Sequence, residues 1–582
     1  MKGMEDSMFI IPLPQKMTER EEKIKLSDFC VRTDNSDIMK FADCYNQGGE
    51  FCISFDKCES DKMEYYTLII NKDGIKITYS DTEGAYRACS TLKQILSQSD
   101  GGYVCELEIE DYPQLAHRGY MLDVSRGKNP TIEYLKCLAD ILSDLKYNEL
   151  QLYMESFVYE YKNFPEYVKD TQPLKRSEIE ELSKYCSERF IKLVPNQNSF
   201  GHMEAWTAKK ELSHLAITGK DGKPSATLNP FKDECIELMD KIYDGFFDAL
   251  DSERVHIGMD EPFELGLNET KEECDRQGVG KVYTDYLNKI CRLVCEKYNK
   301  TPMFWDDIVF THPEQLENIP ENAIVMQWGY ENEHPFERNC RSLMERGLKF
   351  YVCPGTSMWA SFTGRTNNAL VNITSAAQNG VRYGADGFLL TEWGDEGHPQ
   401  FPAMTYFPLV FGGSLSWNCL SDLEGLAHIQ RQSLIDDCKK YMDKYLYLNS
   451  GKKSLADIAY RAGNYYLCED TLRSNGTELS QCVFKGVEVT DMKKEGFKRV
   501  ISYIGNILSE LDEAEADETA IREIRCDCEI VLLIAKLLVH GKCENKDKLF
   551  AEYEALWKKK NHTVGVHEFE NSLKAHLGEA FK

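Results

Sequence analysis

What most limits the folds open to this chain is a repeated alternation between residues 114 and 425. Short apolar runs of strand type recur at Gly119–Val124, Glu149–Met154, Ile191–Pro195, Val255–Met259, Met303–Trp305, Ala323–Trp328, Phe350–Cys353 and Gly387–Leu390. Helical segments lie between them, among them Thr131–Leu145, Ser177–Arg189, Phe231–Leu250 and Tyr283–Tyr298. Near-continuous apolar runs suit strands buried on both faces, and strands alternating with helices build a parallel sheet. Eight such units over about 300 residues have the count and size of a (β/α)8 TIM barrel. The competing doubly wound sheet needs a Gly-rich phosphate turn after its first strand, and Asp123-Val124-Ser125-Arg126-Gly127 is not one.

The flanks read differently. Residues 1–112 form an expected α/β accessory domain. Tyr66–Ile70 and Ile75–Tyr79 are strands around the turn Asn71-Lys72-Asp73-Gly74, and Gly84–Leu96 is a helix with Ala85, Ala88, Leu92 and Ile95 on one face. Residues 113–425 hold the barrel, and 426–582 an α-helical C-terminal domain. There, Ile524, Cys528, Val531, Ala535 and Leu538 recur at steps of four and three, as do Leu549, Tyr553 and Trp557. Stripes of this kind read as core.

Charge and cysteine usage exclude several classes. A net charge of −27 with no basic footprint argues against nucleic acid and anionic membranes as partners. The 21 cysteines include no C-x-x-C pair and no cluster with zinc-ligand spacing, so neither a disulfide framework nor a structural metal is expected. They read as small buried side chains in a reducing compartment, hence a cytoplasmic protein. The first sixteen residues carry acids and two prolines around the short apolar run Met8–Ile11, unlike a signal peptide. No run approaches the roughly 20 apolar residues of a membrane span.

Residues able to do chemistry gather at the strand ends. Arg118 precedes the first strand, and Asp123 ends it with Arg126 nearby. Glu155 follows the second strand and His202 the third. Asp260 and Glu261 follow the fourth, Trp305 with Asp306 and Asp307 the fifth, Trp328 the sixth, and Trp393, Asp395 and Glu396 the eighth. Side chains at the C-terminal ends of barrel strands form the catalytic face. A carboxylate pair closing the buried run His256-Ile257-Gly258-Met259 costs several kcal/mol unless it is paired or functional. Indoles stack on sugar C–H faces and carboxylates accept hydroxyl hydrogen bonds, so the set suits a pyranose.

In these strings the chain resembles glycoside hydrolase family 20, the β-N-acetylhexosaminidases. The carriers are His117-Arg118-Gly119-Tyr120-Met121-Leu122-Asp123-Val124-Ser125-Arg126, Gly201-His202, His256 to Glu261, and Leu390-Thr391-Glu392-Trp393-Gly394-Asp395. Gly84-Ala85-Tyr86-Arg87 and Thr91-Leu92 are similar to that family's accessory domain. The likeness covers roughly residues 60 to 420. It implies an exo-acting, retaining hydrolase of terminal β-linked N-acetylglucosamine or N-acetylgalactosamine on short oligosaccharides, without metal or organic cofactor. It further implies substrate-assisted catalysis, an exception to the usual two-carboxylate scheme. By the same resemblance Glu261 is the general acid/base, Asp260 holds the acetamide N–H, and Arg118 binds distal ring hydroxyls. Trp305, Trp328 and Trp393 wall the sugar, Asp395 binds hydroxyls, and His202 with Glu155 tunes the acid.

Two departures stand out. Met259 occupies a position where many members carry Gly. The Tyr-x-Asp that members place after the seventh strand is absent from Cys353-Pro354-Gly355-Thr356-Ser357-Met358-Trp359, leaving Tyr351, Tyr330 and Tyr383 as candidates to orient the acetamide. The missing Tyr motivates an alternative, a same-fold β-glycosidase acting on a non-acetylated or 2-amino sugar. A non-catalytic glycan-binding protein is the other alternative, against which the intact Asp260–Glu261 pair argues. The C-terminal helices are expected either to brace the barrel or to form a homodimer face.

Overall fold

A computed structural model describes residues 8–420, 427–542 and 545–581. The N-terminal part is a six-stranded sheet of β1 (Lys16–Lys25), β2 (Phe29–Arg32), β3 (Phe51–Lys57), β4 (Tyr66–Asn71), β5 (Gly74–Tyr79) and β6 (Tyr103–Asp111), in the order β1-β6-β4-β5-β3-β2. β4 and β5 form the expected hairpin, closed by Asn71 opposite Gly74. Gly74 has φ +139°, and a Cβ there would lie 2.7 Å from the Cys52 carbonyl oxygen, so the turn requires glycine. The helix Thr82–Ser97 covers one face. Its first turn is capped by Asp81, which accepts from Gly84 N at 2.7 Å, and Ala85, Ala88, Leu92 and Ile95 are fully buried.

All eight expected barrel strands are present: β7 (His117–Asp123), β8 (Glu149–Met154), β9 (Lys192–Gln197), β12 (Arg254–His256), β13 (Thr301–Trp305), β14 (Ile324–Trp328), β15 (Lys349–Cys353) and β16 (Gly387–Glu392). They pair in parallel around a closed ring. A small hairpin, β10 (Ala216–Thr218) with β11 (Pro224–Leu228), interrupts the excursion from β9 to β12. β12 is shorter than its apolar run because the chain turns left-handed at Gly258 and Met259, with φ of 68° and 80°. The segment Phe231–Leu250 divides into a helix, Asp233–Tyr243, and a short 3-10 turn, Phe247–Ala249, separated by Gly245 at φ +83°.

The N-terminal end of the barrel is closed by the ion pair Arg254–Glu149 (3.0 Å) and by His117 stacked on Tyr351. Arg118 lies at this same end, which corrects its expected role in sugar binding. Its guanidinium is fully buried and donates to both oxygens of Glu64 at 2.8 and 2.7 Å, to the Lys146 carbonyl and to the Leu115 carbonyl. Glu64 also takes Arg87 Nε at 2.9 Å. Arg118 therefore fastens the accessory sheet beneath the barrel. At about 3.3 Å per residue, β7 carries it some 16 Å from the mouth that Asp123 reaches.

The C-terminal helices include Ala427–Tyr441, Leu455–Ala462, Glu478–Phe484, Asp491–Leu511, Glu518–His540, Lys546–Trp557 and Glu568–Leu577. The expected boundary at 425/426 lies outside the described residues. Ile524, Cys528, Val531 and Ala535 are fully buried, and they belong to one apolar cluster with the helices around the barrel. This region backs the loop after β7. Lys560 O accepts from Thr131 N, Asn129 O accepts from His562 N at 2.9 Å, and a Cβ on Gly565 would lie 1.9 Å from the Gly127 carbonyl oxygen. Among the described residues no helix is long and apolar enough to cross a membrane.

Candidate active site

A cavity of about 320 Å³ opens at the C-terminal ends of the barrel strands. Its acidic wall begins at the turn after β12. A Cβ on Gly258 would fall 2.0 Å from Asn198 Oδ1, so the amide of Asn198 can pack only against glycine. Asn198 accepts from Met259 N and Ser199 N, each at 3.1 Å, and its Nδ2 donates to Asp260 Oδ1 at 3.0 Å. Met259, Glu261 and His202 all have φ between 48° and 80°. Each left-handed non-Gly residue costs on the order of 1–3 kcal/mol and persists where its surroundings over-determine it. The Met259 side chain is fully buried in the apolar cluster outside the barrel, away from the cavity.

His202 Nε2 stands 3.4 Å from Asp260 Oδ2 and 3.2 Å from Glu261 Oε2. Burial opposes the charged ring, but the Asp260 carboxylate and the hydrogen bonds of both acids outweigh it and raise His202 to about 11. Burial likewise works against an ionised Asp260, yet the imidazolium holds it below its ordinary range. Glu261 N donates to Asp307 Oδ2 at 3.1 Å. Asp307 is pushed up to about 7, first by burial and then by Asp260.

Arg126 organises the second wall. It donates to Asp123 Oδ2 (3.2 Å), Glu155 Oε2 (2.9 Å) and Asp395 Oδ1 (3.3 Å), and lies over the rings of Tyr153 and Trp393. Asp123 in turn accepts from Ser125 N, Arg126 N and Gly394 N, tying the loop after β7 to the loop after β16. Burial raises Glu155 to about 7 against the pull of Arg126. The third wall is aromatic. Trp305 packs on His256 and Trp393, Trp328 stacks on Tyr330 at 5.0 Å, and Trp359 meets Tyr330 edge-on at 5.0 Å. Tyr330 Oη accepts from Trp393 Nε1 at 2.8 Å. Among the described residues, the buried indole N–H groups of Trp305 and Trp328 have no hydrogen-bond partner.

Residues 115–383 match the description "Glycosyl hydrolase family 20, catalytic domain", and residues 37–112 match "Glycosyl hydrolase family 20, domain 2". The chain belongs to glycosyl hydrolase family 20. Among similar sequences is the beta-hexosaminidase subunit beta of Entamoeba histolytica, 25% identical over 295 residues, or 46% of this chain and 51% of that protein. The chain spans about half the length of the curated relatives it matches. The fold is similar to that of a chitobiase from Flavobacterium johnsoniae, with TM-score 0.62, 17% identity and coverage of 99% of this chain and 100% of the other. A family 20 β-N-acetylhexosaminidase from Streptomyces coelicolor A3(2) aligns with TM-score 0.58 and 19% identity over 74% of this chain and 96% of the other.

In this family 20 chain the cavity is lined by seven of the nine residues singled out from sequence: His202, Asp260, Glu261, Trp305, Trp328, Trp393 and Asp395. Glu155 sits just behind, on Arg126 and near His202 Nδ1 at 3.7 Å. Arg118 is the exception, and Arg126 is the arginine at the mouth. Of the three candidate tyrosines, Tyr330 alone lines the cavity. Tyr351 donates to Glu149 at the barrel's far end, and Tyr383 is on an outer helix beside Arg341. Glu396, noted at the end of the eighth strand, also lines the cavity, as do Trp359 and Asn475, which were not singled out as site residues. Trp359 and Glu396 follow strands closely. Asn475 lies far beyond the last strand, where nothing in the sequence points to it.

Proposed function

We propose that this protein is an exo-acting, retaining β-N-acetylhexosaminidase that removes terminal β-linked N-acetylglucosamine, with the substrate's 2-acetamido oxygen as nucleophile. The observation that carries the reading is the shared grip of Asp260 and Glu261 on one nitrogen of His202. Adjacent residues held this way address one side of a sugar, unlike an acid and a nucleophile flanking C1. Glu261 gives its proton to the glycosidic oxygen as the C1–O bond breaks and the acetamide oxygen bonds to C1. Asp260, kept ionised by the imidazolium, accepts the acetamide N–H and stabilises the positive charge of the oxazolinium ring. Glu261 then takes a proton from the water that attacks C1, which reopens the ring and leaves the β-anomer.

Tyr330 replaces the tyrosine expected after the seventh strand. Its oxygen accepts from the Trp393 indole, and its own proton is the one donated to the acetamide oxygen. Trp305, Trp328 and Trp393 exclude water around the acetamide methyl. Time-resolved NMR should show the β-anomer formed first. Replacing the acetyl group of a nitrophenyl substrate by trifluoroacetyl should lower kcat steeply, because its carbonyl oxygen is the weaker nucleophile. An α-anomer, or rates indifferent to fluorination, would refute the mechanism. We also place the protein in the cytoplasm. The described cysteines are free thiols, many of them buried, as suits a reducing compartment, and cell fractionation tests this.

A further inference from the structure

We infer that Asn475, carried by the C-terminal helical region, is a specificity-determining residue that donates a hydrogen bond to a ring hydroxyl of the terminal sugar. It lines the cavity although the match to the family's catalytic domain ends at residue 383. The turn that carries it is fixed. Asn475 N donates to Glu331 Oε1 at 2.7 Å, and Glu331 is held by both terminal nitrogens of Arg365 at 2.9 Å. Two residues on, Thr477 N donates to the Ala360 carbonyl, tying the turn to the loop after β15. The backbone at Asn475 is left-handed, φ 50°, a conformation asparagine tolerates.

The side chain is oriented by chemistry. Trp359 Nε1 can only donate, and it lies 2.6 Å from Asn475 Oδ1. The amide oxygen is thereby spent, and the two N–H bonds of Nδ2 have no partner among the described residues. The cavity is otherwise rich in acceptors. Asp260, Glu261, Asp395 and Glu396 are carboxylates, and the Arg126 guanidinium is committed to three acids. A sugar hydroxyl both donates and accepts, so the amide of Asn475 adds a donor opposite these carboxylates.

The inference rests on the proposed activity for the identity of the sugar, and its test separates the two. Wild type, Asn475→Ala and Asn475→Asp are compared on nitrophenyl β-N-acetylglucosaminide and its 3-, 4- and 6-deoxy forms. Asn475→Ala should lower kcat/KM about 10- to 100-fold on the parent and on two of the deoxy substrates. It should have almost no effect on the third, whose missing hydroxyl is the one contacted. Asn475→Asp keeps the acceptor for Trp359 but loses the donors, and should reproduce the pattern. An equal loss on all four substrates, or no loss on any, overturns the inference. If wild type hydrolyses none of them the proposed activity has failed, and the same pairs are read as binding through quenching of tryptophan fluorescence, with the same two criteria.

Discussion

At the scale of single residues, the two arginines of the Arg-Gly-Tyr-Met-Leu-Asp-Val-Ser-Arg string have opposite duties. Arg126→Met should lower kcat/KM more than about 100-fold, because it releases Glu155 and Asp395 together and misplaces groups around the reacting sugar. Arg118→Met should leave KM nearly unchanged and instead cost about 3–5 kcal/mol of stability, because it takes one of two guanidinium partners from the buried Glu64 carboxylate. Steady-state kinetics and denaturant unfolding on the two variants separate these outcomes. Exchanged phenotypes would put the wrong arginine at the mouth. Glu261→Gln should lower kcat about 100- to 10,000-fold, the span general acid–base catalysis contributes, and undiminished turnover would remove it from the acid's role. His202 should show no NMR titration between about pH 5 and 9, because two acids share its proton.

At the scale of elements, the loops after β7, β9, β12, β14, β15 and β16 and one remote turn make the site, and their connections explain why the sequence disclosed only part of it. The strands were legible because their apolar runs are bounded by turn residues, as in Glu149–Met154, which the structure reproduces to the residue. The role of Arg118 was misjudged because an arginine that opens a parallel strand belongs to the end opposite the mouth, whatever motif it stands in. Tyr330 lies two residues past the end of β14, within reach of strand-end reasoning. Asn475 reaches the cavity through tertiary contacts alone, so no periodicity marks it. The loop carrying Arg126 is packed so closely that Gly565→Ala, in the C-terminal region, should lower activity about 100-fold while far-UV CD is retained. Full activity in that variant would show that the loop can shift without consequence.

At the scale of the whole molecule, one apolar cluster runs from the barrel's outer helices into the C-terminal region, so a chain truncated near residue 420 should not give a folded barrel. Titration should also register globally. Glu83, Glu155 and Asp307 are raised to about 7 and Glu469 to about 8, each first by burial, and His202 to about 11. Between about pH 5 and 8 the folded chain therefore binds more protons than the unfolded one, and stability falls as pH rises. Below about 5 the sign reverses. Burial keeps His117 and His256 (about 3) and His334 (about 4) neutral, whereas the unfolded chain protonates them. Thermal unfolding should be highest near pH 5 and decline on both sides, and a monotonic profile would contradict this balance.

The claim on which the account depends is that the acetamide is the nucleophile. Initial rates on nitrophenyl β-N-acetylglucosaminide and nitrophenyl β-glucoside, measured side by side, test it most directly. Turnover of the acetamido substrate should be more than about 1,000-fold faster, since the plain glucoside offers C1 no neighbouring nucleophile. Comparable rates, or preference for the plain glucoside, would contradict it.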